Sequence, residues 1–150
     1  MNDTSKAKVV LMAEDDSDDR LLVKDAMTES RWEGDLRFVE DGEELLDYLR
    51  HCGKYGQPAT APRPGLVLLD LNMPRKDGRE ALREMKADAD LRRIPVVVLT
   101  TSKAGTDIGR MYDMGANSFI AKPVQFEALV NVMRVLGQYW FNTVELPAPR

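Results

Sequence analysis

The chain has 150 residues, with 21 Lys and Arg against 25 Asp and Glu and a net charge of −4. That length suits one domain with one good core, and the acidic balance argues against a nucleic-acid binder, whose grip on phosphate backbones comes largely from Lys and Arg. No apolar stretch approaches the ~20 residues of a membrane span, MNDTSKAK at the N-terminus lacks the apolar core of a secretion signal, and the only cysteine, Cys52, allows no intrachain disulfide and fits a reducing cytoplasm.

In chain order, residues 1–7 read as a tail, and KVVLMAE (8–14) is a short apolar run ending in acid. SDDRLLVKDAMTES (17–30) places Leu21, Leu22, Asp25 and Ala26 at helical spacing, with Ser17 as the expected N-cap and acids in the first turn. DLRFVE (35–40) alternates as a strand does. Asp41-Gly42 turns into EELLDYLRHC, a short helix that His51-Cys52 ends. Residues 53–65 hold three prolines and three glycines and read as a long loop. LVLLD (66–70) is a short apolar run, as in a strand buried on both faces. A helix around REALREMKAD (79–88), the strand IPVVVLTT (94–101) and a helix near 105–114 follow. NSFIAK (117–122) is the fifth strand, QFEALVNVMRVLGQYW (125–140) the last helix, and residues 141–150 a tail.

Five strands alternating with five helices imply an α/β fold with a doubly wound parallel sheet. In such sheets the functional crevice lies outside the carboxyl ends of the strands. The first strand ends in Glu14, Asp15 and Asp16, the third in Asp70, the fourth in Thr100-Thr101 and the fifth in Lys122-Pro123. A parallel sheet gathers these at one edge as an acidic cluster with one hydroxyl and one ammonium. A buried carboxylate costs several kcal/mol unless it has a partner or a task. Clustered carboxylates suit a hard divalent cation, and Mg²⁺ takes few carboxylates plus waters and a phosphate oxygen. Asp70 can then act as a nucleophile toward phosphorus, with Lys122 and Thr100 stabilising the phosphoryl oxygens. Asp16, Asp18 and Asp19 read as a solvated helix start with no part in the site, Thr101 as a plain strand residue, and His51-Cys52 as a helix C-terminus rather than a metal site.

EDD after the first strand, LLDLNMPRKDG, LTTS and AKP together resemble, in order and spacing over residues 8–140, the receiver domains of two-component response regulators. The resemblance implies a flavodoxin-like (βα)5 fold with strand order 2-1-3-4-5. It implies that Asp70 accepts phosphate from a sensor histidine kinase. Asp15, Asp70 and the backbone carbonyl of Asn72 would bind Mg²⁺ (or Mn²⁺), with Glu14 acting through water. Thr100 would hydrogen-bond the phosphoryl group, Lys122 would pair with it, and Phe119 would be the aromatic switch residue. Asn72 and Ser102 stand where the family tunes phosphoryl lifetime. Lys122-Pro123 would be a cis peptide. The loop at 53–65 and the ending YWFNTVELP resemble more narrowly the single-domain regulators that partner bacterial phytochromes. On this reading the chain is a stand-alone cytoplasmic signalling protein that catalyses only its own phosphorylation and dephosphorylation.

Two other classes compete. A phosphatase of the haloacid dehalogenase type also uses Asp, Thr or Ser, Lys and an acid pair around Mg²⁺. It places its nucleophile on the first strand, however, and needs a second Asp where Asn72 stands. A flavodoxin-like electron carrier needs a phosphate-cradling loop where EDDSDD would repel the anion.

A homodimer through the last helix and tail is also expected. Phe126, Leu129, Val130, Met133, Leu136 and Trp140 share one helical stripe that should pack on the sheet. Val132, Val135 and Tyr139 form a second stripe, and Trp140, Phe141, Val144 and Leu146 have no further element to cover them, so two crossing tails would bury them; the alternative is a tail that folds back over the second stripe within one chain.

Overall fold

The computed structural model describes residues 8–101 and 105–147. Its strands are β1 (Val9–Ala13), β2 (Asp35–Val39), β3 (Leu66–Leu69), β4 (Val96–Thr100) and β5 (Ser118–Ala121). Its helices are α1 (Ser17–Glu29), α2 (Gly42–Arg50), α3 (Gly78–Ala87), α4 (Gly105–Asp113) and α5 (Phe126–Gly137). The strands form one sheet in the order β2-β1-β3-β4-β5, every neighbouring pair parallel, as expected.

The apolar strands make sense in this setting. β1, β3 and β4 occupy the middle of the sheet and every residue in them is buried. Successive side chains point to opposite faces. Leu11, Ala13, Val67, Leu69, Val96 and Val98 therefore join the core beneath α2, α3 and α4. Val10, Met12, Leu66, Leu68, Val97 and Leu99 join the second core, beneath α1 and α5.

Several local expectations change. Asp16, not Ser17, caps α1: its carboxylate accepts from the N–H groups of Asp18 and Asp19, which a residue already inside the first turn cannot reach. As expected, His51 ends α2, in the left-handed conformation at φ 55°. The 53–65 connection contains two short 3₁₀ turns, Gly53–Tyr55 and Pro58–Thr60. It is pinned by Tyr48 Oη donating to the Pro62 carbonyl at 2.8 Å and by the His51 ring at 2.8 Å from the Ala61 carbonyl.

Helical winding continues past α5 as a π turn, Gln138–Thr143. This turn and the residues after it dock on their own chain. Phe141 packs edge-on against Trp32 at 5.7 Å. Leu146 and Phe141 border Gly65, where an added Cβ would lie 2.9 Å from Leu146 Cδ1 and 3.2 Å from Phe141 Cε1. Part of the tail thus finds cover within its own chain, contrary to expectation, because Gly65 offers a surface without a side chain. Leu129, Val130, Met133 and Leu136 are buried in the core beneath α1 and α5, but Phe126, at the start of α5, is 39% exposed. Val135 and Tyr139 remain 53% and 49% exposed.

Candidate functional site

The register of the central strands assembles the site. Ala13 pairs with Leu69, so the acids after β1 lie beside the residue after β3. Glu14 N–H donates to the Val39 carbonyl at 2.9 Å and Asp70 N–H to the Ala13 carbonyl at 3.1 Å, which carries the sheet's order one residue past the strands. Lys122 N–H donates to the Thr100 carbonyl at 2.8 Å and brings the end of β5 alongside β4. α3 begins hard against this edge. Gly78 is its first residue, and an added Cβ there would lie 2.9 Å from the Leu71 Cα.

Glu14, Asp70 and Thr100 are buried, at 1%, 6% and 0% exposure. Thr100 Oγ1 donates to Asp70 Oδ1 at 2.7 Å, and the Asn72 N–H approaches the same oxygen at 3.4 Å. Lys122 Nζ donates to Glu14 Oε1 at 2.6 Å and to Asp19 Oδ2 at 3.1 Å. The second Glu14 oxygen accepts from the Asp16 N–H at 3.1 Å. Asp15 and Asn72 are exposed at the rim.

Burial pushes the Glu14 carboxyl above its ordinary value; Lys122 opposes this without cancelling it, and the charge of Asp70 adds to it. Burial alone would lower the Lys122 ammonium. The hydrogen bond and charge of Glu14, with the charges of Asp70 and Asp19, outweigh it and hold the ammonium above its ordinary value.

The donor set fits a hard divalent cation. Glu14, Asp15 and Asp70 each offer a carboxylate oxygen, and these oxygens lie within 4.8 Å of one another. Oxygen ligands and concentrated negative charge are what Mg²⁺ and Mn²⁺ require.

The expected residues of the four strand ends are therefore brought together. Phe119 stands apart, half-buried against the core beneath α2, α3 and α4. Its N–H donates to Tyr112 Oη on α4 at 3.2 Å. Ser102 and the 1–7 tail lie outside the described residues.

Two expectations need correcting. The Lys122-Pro123 peptide is trans, the geometry that X-Pro bonds favour by about 0.5–1 kcal/mol. Asp19 belongs to the site through Lys122, rather than to a merely solvated helix start. Arg20 was also missed: its Nη1 donates to the Glu14 carbonyl at 2.8 Å and ties α1 to the end of β1. The dehalogenase arrangement finds no support, because the first strand carries the acid pair, the third carries Asp70, and Asn72 stands where a general acid would be needed.

Comparison with known proteins agrees with the geometry. The family described as "Response regulator receiver domain" matches residues 10–134. "Response regulator Rcp1" of Synechocystis sp. is 38% identical over 147 residues, 98% of each chain. The structure of its Mn²⁺-bound form has a TM-score of 0.84 at 40% identity, covering 94% of this chain and 99% of that one. The phosphorylated cyanobacterial phytochrome response regulator RcpA has a TM-score of 0.87 at 40% identity, covering 95% and 100%. RPA3017, a response regulator in red light signaling of R. palustris, has a TM-score of 0.89 at 38% identity, covering 93% and 98%. Among the described residues, no helix is long and apolar enough to cross a membrane. A matching family over most of the chain, near-full-length relatives and a shared fold lead to one conclusion: this chain belongs to the response regulator receiver-domain family.

Proposed function

We propose that Asp70 is the phosphoacceptor of a cytoplasmic signalling switch, charged by a sensor histidine kinase of the phytochrome type. The observation that carries this reading is the buried Asp70 carboxylate, held by the Thr100 hydroxyl at 2.7 Å beside the acids of β1. An Asp70 oxygen forms the bond to phosphorus as the phosphorus–nitrogen bond of the donor histidine breaks, and the imidazole leaves with that electron pair. Thr100 transfers its hydrogen bond from Asp70 to a phosphoryl oxygen, and Lys122 turns to pair with another. Asp15, Asp70 and the Asn72 carbonyl would hold Mg²⁺ (or Mn²⁺), with Glu14 acting through water. The bound ion supplies positive charge against the phosphoryl oxygens. The movement of Thr100 draws Phe119 inward and signals to a partner. The likeness to RcpA, a phytochrome response regulator, and to RPA3017, a response regulator in red light signaling, supports a phytochrome-type kinase as the donor.

The test is phosphotransfer with Mg²⁺ from a phosphorylated kinase or a small phosphoryl donor. Asp70→Asn keeps the shape and removes the nucleophile, so label should vanish. Label at the wild-type level on that variant overturns the assignment.

The same reading includes a homodimer through α5 and the tail, supported by the exposed Val135 and Tyr139. Tyr is common at interfaces. Sedimentation of the wild type and of a truncation after Gly137 tests it. A wild type that is monomeric at micromolar concentration, phosphorylated or not, overturns it.

A further inference from the structure

Lys122 is bound where its proposed task does not need it. Both of its ion pairs go to acids other than Asp70: Glu14 at 2.6 Å and Asp19 at 3.1 Å. Asp70 acts on the ammonium only as a nearby charge. The two holders differ in kind. Glu14 is 1% exposed and fixed at its other oxygen by the Asp16 N–H. Asp19 is 34% exposed, so water can replace the ammonium when that contact breaks. Its backbone is nevertheless well placed. The Asp16 cap accepts from the Asp19 N–H at 3.2 Å, and Arg20 anchors the same turn to the Glu14 carbonyl.

We propose that Asp19 is a positioning residue that holds Lys122 away from Asp70 in the resting state and sets how readily the ammonium engages the phosphoryl group. The inference rests on Asp70 being the phosphoacceptor. The ammonium has three protons, and two are committed to Glu14 and Asp19. A phosphoryl group on Asp70 competes with Asp19, the more weakly held partner, for Lys122. That competition makes Asp19 a brake on the phosphorylated state. Without it, Lys122 keeps Glu14 and turns its freed proton to the phosphoryl oxygen.

The experiment measures binding of beryllofluoride, a phosphoryl mimic that attaches to carboxylates, in the presence of Mg²⁺. Lys122 is followed by the NMR shift of its Cε. Asp19→Asn and Asp19→Ala should bind beryllofluoride about twofold to fivefold more tightly than wild type, the range of a partly exposed ion pair. Asp19→Glu should restore wild-type affinity. Asp18→Asn removes a neighbouring charge that does not reach Lys122 and should change nothing. Thermal unfolding in chelator verifies that each variant is folded.

The decisive arm is the double-mutant cycle with Lys122→Ala. In that background the gain from Asp19→Asn should disappear. Unchanged or weaker binding by Asp19→Asn overturns the proposal, as does a gain of the same size without Lys122. If wild type fails to bind beryllofluoride, or Asp70→Asn binds it equally well, the phosphoacceptor reading itself falls.

Discussion

Replacing Lys122 by Met would remove the charge while keeping most of the side chain's apolar stem, and its cost can be worked out. Lys122 is 9% exposed and Glu14 1%, so the variant leaves the Glu14 carboxylate buried without its cation. Breaking such a pair costs about 3–5 kcal/mol in general. Here the penalty has a ceiling, because Glu14 can take up a proton instead. At pH 7 a carboxyl whose unfolded value is 4.5 needs about 3.4 kcal/mol to be protonated, at about 1.36 kcal/mol for each pH unit. The expected destabilisation at pH 7 is therefore about 3 kcal/mol.

The sign of the pH dependence follows from the same group. The folded Glu14 value is raised, and losing Lys122 raises it further, so the folded variant binds more protons than its unfolded chain. Its stability recovers as pH falls through that raised value, and the ceiling at pH 5.5 drops to about 1.4 kcal/mol. Urea unfolding in chelator, followed by the fluorescence of Trp32 and Trp140, gives both numbers. Glu14→Gln added to Lys122→Met should return all but about 1 kcal/mol, since an amide needs no counter-ion. A loss under about 1 kcal/mol at pH 7, or one that does not shrink on acidification, would refute the idea that Lys122 neutralises a buried Glu14.

Gly137→Ala should destabilise by about 1–3 kcal/mol despite the better helix propensity of Ala, because its Cβ would lie 2.6 Å from Trp32 Cδ1 and Cε2; a lower urea midpoint and a shifted Trp emission are the readouts. Asp41→Ala removes the cap of α2, whose carboxylate accepts from the Glu44 N–H at 2.8 Å; a loss of about 1–2 kcal/mol by the same assay is expected. Acid should destabilise the wild type through Glu44, Glu84 and Asp88. Burial would raise Glu44, but hydrogen bonds from Tyr55 and Lys54 outweigh it and hold the carboxyl low. The Lys76 hydrogen bond lowers Glu84, and the N–H groups of Leu91 and Asp90 lower Asp88. Their contribution is complete above the ordinary values of 4.5 for Glu and 3.8 for Asp and is lost as pH falls through the lower folded values, which acid titration by circular dichroism detects.

The fold and the identity of the chemical groups were legible in one dimension. Apolar runs of four or five residues, alternating with helical periodicity, leave a parallel doubly wound sheet as the way to bury them. That topology then requires Asp15, Asp70, Thr100 and Lys122 to share one edge. What the sequence alone could not decide was where each charge is spent. Lys122 binds Glu14 and Asp19 rather than Asp70, because an ammonium takes the carboxylates that packing places around it, and the two it takes lie 108 and 103 residues away in the chain. Asp19 looked like any acid at a helix start until the fold set α1 beside Lys122, the residue after β5. The Lys122-Pro123 bond is trans although the resemblance implied cis. The tail appeared uncovered because the space beside Gly65 that receives Phe141 and Leu146 exists only once β3 is in place. Periodicity reports which face a residue shares with its neighbours in sequence. Ion-pair choice and tail docking depend on residues far apart in the chain, and only the tertiary structure brings those together.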